Sequence, residues 1–269
     1  MSYSLIWLPS VLKAAGLPVH LVDGWEERGR GDAGRIEGVI CHHTAVASPK
    51  AMPTLGALVN GRKAEPGLSA VPGPLAHLGL GRDGHFYIIA AGRCNHAGAG
   101  QWHGFTNGNA NFIGIEAEND GKGEAWPEVQ MEAYWRGVAA ILMHEGLDVS
   151  RCAGHKEYAP VRKPNDPNFD MNAFRINVAK VMNGTAPPPE LIPPFEPPTH
   201  AGAPAGRATL LRGDTGDLVL RLQNTLHIEA DGIFGAITEA AVREFQRQHS
   251  LVIDGRVGPI TWHALDTLP

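Results

Sequence analysis

The sequence predicts a mixed α/β domain, a sheet flanked by helices, followed by a small all-α domain of three helices. Three observations carry this. Strand and helix patterns alternate through the first two thirds of the chain, a proline-rich stretch interrupts them, and an internal repeat follows it.

Leu8 to Ala15, closed by Gly16, reads as a short helix. Gly38-Val-Ile-Cys41 reads as a buried strand, and His85-Phe-Tyr-Ile-Ile89 and Asn111-Phe-Ile-Gly-Ile-Glu116 as two more. Pro127 to Glu145, opened by proline and closed by Gly146, is a long helix. Eight of the 21 prolines then fall between Pro187 and Pro204, the composition of a semi-rigid spacer. This sets the expected boundaries at 1–183 for the catalytic domain, 184–206 for the linker and 207–269 for the last domain. Within the last, Asp231–Val242 and Asp254–Leu265 are identical at six of twelve positions with an offset of 23 residues. Each copy has an Asp-Gly turn, a second glycine, and Thr238 or Thr261 in the position of a helix N-cap. Ala240, Ala241, Phe245 and Gln246 lie on one helix of this module, and Leu218 to Leu226 suggest an earlier one.

Composition narrows the function. The 269 residues carry a net charge of −5, which disfavours nucleic acid as a partner. Cys41, Cys94 and Cys152 are odd in number and lack metal-type spacing, so buried free thiols are expected. The N-terminal stretch has no basic segment ahead of its apolar residues, and no run approaches the ~18 apolar residues of a membrane span. The expectation is a chain made in the cytoplasm, without membrane insertion. Thirteen histidines, nine of them before residue 156, direct attention to imidazole chemistry.

Three clusters can carry that chemistry. Cys41-His42-His43-Thr44 ends a buried strand, where adjacent histidines point to opposite faces, so only one can ligate a metal. Gly154-His155 follows the long helix and leads to Tyr158-Ala-Pro160, Arg162-Lys163 and Asp166-Pro167. Glu116 ends a strand, with Glu118 expected on the same face. A catalytic zinc takes three protein ligands and keeps one position for water, a requirement that two imidazoles and a carboxylate from His42, His155 and Asp166 would meet. No HExxH is present, which excludes a zincin helix. Gly79-Leu-Gly-Arg-Asp-Gly84 satisfies GxGxxG, yet a strand follows it, so Arg82-Asp83-Gly84 is read as a hairpin turn. The Asn183-Gly-Thr185 sequon is idle without secretion.

Residues 36 to 170 resemble the zinc-dependent N-acetylmuramoyl-L-alanine amidases, a group that includes the peptidoglycan recognition proteins. The matching elements are Val39-Ile-Cys-His42-His-Thr44, Ala76-His77 with Arg82-Asp-Gly84, Asn95-His96-Ala-Gly98, Ile113-Gly-Ile-Glu116, and Gly154-His155 through Asp166-Pro167. The resemblance implies that His42, His155 and Asp166 hold Zn²⁺, that Glu116 acts on the attacking water, and that Lys163 stabilises charge on the scissile carbonyl. Some relatives carry tyrosine where this chain has Ala76, which leaves the general-base role to Glu116. His96 and Asn95 are expected to contact substrate at the cleft wall. The gap from His155 to the aspartate is one residue longer than the family pattern, which makes Asn165 the competitor of Asp166 for the third ligand position. Residues 209 to 266 are similar to the small peptidoglycan-binding domain of cell-wall hydrolases. Together these imply a monomeric phage-type endolysin, held in the host cytoplasm until holin-assisted export brings it to peptidoglycan. The alternatives are a non-catalytic recognition protein and a cytosolic wall-recycling amidase.

Overall fold

The computed structural model describes residues 3–64, 69–186, 209–249, 251 and 255–267. The chain divides into two compact units, Met1–Phe195 and Glu196–Pro269. The Pro-rich stretch from residue 187 to 206 lies outside the described residues.

The first unit opens with α1 (Leu8–Ala14), β1 (Val19–Leu21) and β2 (Gly38–His43), then α2 (Leu55–Asn60) and the short pair β3 (Gly61–Arg62) and β4 (Val71–Pro72). There follow β5 (Leu78–Leu80), β6 (Phe86–Ile88), α3 (Gly108–Asn111) and β7 (Phe112–Ala117). The unit closes with α4 (Glu128–His144), β8 (Cys152–Gly154), α5 (His155–Tyr158) and α6 (Met171–Met182). Each element read from the sequence is present within two residues at either end. The Arg82-Asp83-Gly84 turn joins β5 to antiparallel β6 as expected. The helix α6 has no counterpart in the reading; its start is capped by Asp170, whose carboxylate accepts from the Asn172 and Ala173 amides.

Six strands form one mixed sheet in the order β1-β6-β5-β7-β2-β8, with β5, β7, β2 and β8 parallel. Alternation splits β2 and β7 into two sets of side chains. Val39, Cys41, Ile113, Ile115 and Ala117 enter the main core with Tyr134, Val138, Ile141 and Leu142 of α4. On the opposite face Ile40 and Phe112 pack with Ala97, Tyr158 and Ala159. His42 and Glu116 belong to that second face, and they are register partners across β2 and β7.

One side chain from the core side fixes the strand ends. The buried Tyr134 hydroxyl accepts the His42 amide at 2.9 Å and lies 3.0–3.1 Å from the Ile115 and His42 carbonyls. Tyr134→Phe is expected to leave the His42 amide without this partner and to cost about 2 kcal/mol. Urea denaturation of the full chain measures this, and an unchanged midpoint would rule out the role.

The second unit contains α7 (Asp217–Thr225), α8 (Ala236–Gln248) and α9 (Pro259–Asp266), the expected helical module. Its core is Leu210, Val219, Leu222, Phe234, Val242, Phe245, Val257, Trp262 and Leu265. The repeat is visible as a duplicated clamp. The Gln223 amide bonds the Ile233 carbonyl and Thr238 hydroxyl, while its oxygen accepts the Gly232 amide. Gln246 does the same with the Arg256 carbonyl, Thr261 and the Gly255 amide. The threonines are therefore not the expected N-caps. Gly235 and Gly258 hold the cap positions, and Thr238 and Thr261 sit buried in the first turn, their hydroxyls spent on the glutamines. Among the described residues, no helix is long and apolar enough to cross a membrane.

Candidate metal centre

Sheet register assembles the site. His42 lies one residue before the end of β2, Glu116 lies beside it one residue before the end of β7, and His155 follows Gly154 at the end of β8, whose partner on β2 is Cys41. Three parallel strands thus deliver three side chains to their common C-terminal edge, where open α/β sheets place ligands. Asp166 arrives from the loop after α5, where its Oδ1 accepts the His43 amide at 2.9 Å.

His42 Nδ1, His155 Nδ1 and Asp166 Oδ2 converge. The two nitrogens are 2.9 Å apart, and Oδ2 is 2.9 Å from His155 and 3.7 Å from His42. All three residues are buried. His155 Nε2 faces the Ala97 carbonyl at 2.9 Å. A carbonyl only accepts, so a hydrogen on Nε2 is donated to Ala97 and leaves Nδ1 bare for a cation shared with Asp166; without a cation the Asp166 carboxylate, 2.9 Å from Nδ1, is an equally good acceptor. By the same reasoning His96 donates from Nε2 to the Phe112 carbonyl at 3.0 Å and accepts on Nδ1 from His42 Nε2 at 3.0 Å. That leaves His42 Nδ1 bare as well. Burial first, and then the neighbouring His155, lower the His42 pKa to about 4, so the ring is neutral at pH 7. Burial alone would raise the Asp166 carboxyl, but hydrogen bonds and charge from His155 and His42 hold it below the usual range.

Two imidazole nitrogens and a carboxylate oxygen converge on one point, the donor set that a divalent cation would use. Tetrahedral zinc bonds of about 2.0–2.1 Å would put ligand atoms about 3.3 Å apart, within the observed spread. The residues therefore fit zinc, and the second nitrogen of each ring has the outer partner that a metal-bound histidine needs. Asn165, the competitor by spacing, is exposed, whereas Asp166 is buried in the site.

Glu116 Oε1 lies 4.0 Å from His42 Nδ1, and its Oε2 is buried without a hydrogen-bond partner. Burial and the Asp166 charge push the Glu116 carboxyl well up, against the opposing effect of Lys163. The Lys163 ammonium stands 4.0 Å from Asp166 Oδ2 with its side chain 43% exposed, at the open side of the cluster. His43 faces away, with its ring against Gly121.

Two expectations change. Glu118, one residue past the end of β7, spends its carboxylate outside the cluster. Its carboxylate is fully buried, bonded to the Thr44 and Thr54 hydroxyls and paired with Arg82 at 3.4 Å. His96 is not at the cleft wall but behind His42, with both ring nitrogens engaged. Asn95 uses its amide on the Pro72 carbonyl. Tyr134, which holds the backbone of His42, went unread because a helix tyrosine carries no signal of the strand it reaches.

Residues 32–169, just over half the chain, match the N-acetylmuramoyl-L-alanine amidase family. The chain belongs to this family. Residues 215–265 match the peptidoglycan-binding domain family. Among individual proteins, an uncharacterized protein in the bpoA1 3′ region of Kitasatospora aureofaciens is 44% identical over 64 residues, which cover 21% of this chain and 54% of that protein. A Burkholderia AP3 phage endolysin is 42% identical over 22% of this chain and 25% of its own, with a TM-score of 0.22. The amidase-family chain also overlaps a crystal structure of an AmpD derivative, over 66% of its own length and 99% of the other, at 23% identity and a TM-score of 0.47. It thus spans about half of the curated relative and a quarter of the phage endolysin.

Proposed function

We propose that this chain is a zinc-dependent peptidoglycan hydrolase of the endolysin type, which cleaves the amide between N-acetylmuramic acid and the L-alanine of the stem peptide. The observation that carries this reading is the convergence of His42 Nδ1, His155 Nδ1 and Asp166 Oδ2 beside Glu116. The match to a peptidoglycan-binding domain and the local likeness to a phage endolysin support the wall as target.

His42, His155 and Asp166 would hold the zinc ion, which when bound would supply Lewis-acid polarisation of the scissile carbonyl and a more acidic water. Glu116, 4.0 Å from His42 Nδ1, would take the proton of the attacking water and return it to the departing alanine nitrogen. Lys163, partly exposed and 4.0 Å from Asp166 Oδ2, would meet the negative charge that develops on the carbonyl oxygen. The complete donor set and Glu116 favour this over a non-catalytic recognition protein. A separate wall-binding domain favours a wall-acting lysin over a recycling enzyme. In a phage setting the chain would wait in the host cytoplasm until a holin releases it, and it would act as a monomer.

Mass spectrometry of digested peptidoglycan tests the bond assignment. Free stem peptides beginning with L-alanine and unsubstituted lactyl groups on the glycan are expected. Cuts confined to glycan strands or peptide bridges would overturn it. Chelation with EDTA is expected to abolish cleavage, and zinc to restore it.

A further inference from the structure

The segment Asn95-His96-Ala97-Gly98 meets both imidazoles of the candidate centre from behind. The side chain of His96 faces His42 Nε2 at 3.0 Å, and the carbonyl of the next residue, Ala97, faces His155 Nε2 at 2.9 Å. We propose that this loop is a positioning element which sets the tautomer of both histidines, with His96 as the residue that keeps the His42 lone pair on Nδ1. The proposal rests on the zinc reading above and adds what holds the ligands ready.

The argument runs back to a backbone oxygen. Phe112 O accepts from His96 Nε2 at 3.0 Å, so neutral His96 must accept on Nδ1 and His42 must donate from Nε2. Without His96, nothing among the described residues at that edge prevents the His42 hydrogen from moving to Nδ1, where it would bond Asp166 or His155 and close the centre. The His96 ring has a purpose-built seat. A Cβ on Gly114 would lie 2.5 Å from its Cγ and Nδ1, so only glycine leaves the space on β7. The His77 ring closes the far side edge-on at 5.4 Å, fixed by the Gly114 amide donating to His77 Nδ1 at 3.0 Å. The backbone is clamped too. Asn109 Oδ1 accepts the amides of His96 at 3.0 Å and Ala97 at 2.7 Å. Arg162 adds a guanidinium bond to the Ala97 carbonyl and another to that of Ala99. The His96 ring is buried with both nitrogens engaged, which separates a positioning role from a contact at the cleft.

The test compares His96→Leu, His96→Gln and Asn109→Ala in the full-length protein. Gln can accept from His42 with its oxygen and donate to Phe112 with its amide, whereas Leu can do neither. Zinc affinity, read by competition with a chromophoric chelator, is expected to fall about 10–100-fold in His96→Leu and in Asn109→Ala, and to return largely to the parent value in His96→Gln. Long-range ¹H–¹⁵N spectra of the metal-free proteins should show His42 protonated on Nε2 in the parent and in His96→Gln, and on Nδ1 at least in part in His96→Leu. Parent-like affinity together with an Nε2-protonated His42 in His96→Leu would overturn the proposal. If His96→Leu fails to fold, His96→Gln and Asn109→Ala decide it: parent-like affinity in Asn109→Ala, or no recovery in a folded His96→Gln, overturns it. A parent that binds no zinc would instead defeat the ligand reading, while the tautomer spectra would still decide what His96 does.

Discussion

Asp166→Ala is expected to yield a folded protein that neither retains zinc nor cleaves peptidoglycan. Asp166 supplies the only negative charge among the three converging atoms, 2.9 Å from His155 Nδ1. Removing it leaves two neutral imidazoles, one ligand short of what a catalytic zinc site needs. Loss of an outer partner typically costs 10–100-fold in metal affinity, so loss of a ligand should cost more than about 100-fold. Metal content after gel filtration and turbidity loss of cell walls are the measurements. The fold should survive, because the other carboxylate oxygen holds a single amide, that of His43. Asn165→Ala is the matched control: that side chain is exposed, and its removal should leave both readouts unchanged. Stoichiometric zinc in Asp166→Ala, or its loss in Asn165→Ala, would transfer the third ligand elsewhere.

Glu116→Gln should separate binding from chemistry. The substitution keeps shape and hydrogen-bonding reach while removing the group that accepts a proton, so zinc is expected to remain at one per chain while kcat falls about 10²–10⁴-fold. The position justifies so large an effect. Oε2 is buried, and no other group among the described residues bonds that oxygen. A drop of only a few-fold with zinc in place would assign the proton transfer to another group. A drop accompanied by zinc loss would make Glu116 a ligand.

Local pattern made the strand that carries His42 readable and showed that only one of His42 and His43 could ligate, since alternation sends the two to opposite faces; the family resemblance supplied which one. Pattern also made the 23-residue repeat plain. What it could not supply was register. The pairing of His42 with Glu116 depends on how β2 lies against β7, and the same gap hid the fate of Glu118, which leaves the strand one residue after Ala117. His96 was misplaced for a related reason. A histidine in a polar loop reads as a surface group unless one knows that a glycine on a distant strand has left room for its ring. Thr238 and Thr261 fit the composition of helix caps, but their true partners, Gln223 and Gln246, are 15 residues away.

The edge where β2, β7 and β8 end gathers groups that are far apart along the chain. His42 stands 113 residues before His155, and its neighbour His43 is 123 before Asp166. No unfolded or half-folded chain can offer zinc this set, so the ion would bind only the finished sheet. Zinc at a thousand times its dissociation constant would then stabilise the native state by about 4 kcal/mol. On the proposed reading the same ion would serve the chemistry and reward completion of the sheet, so a chain with an unfinished sheet would be inert as well as unstable.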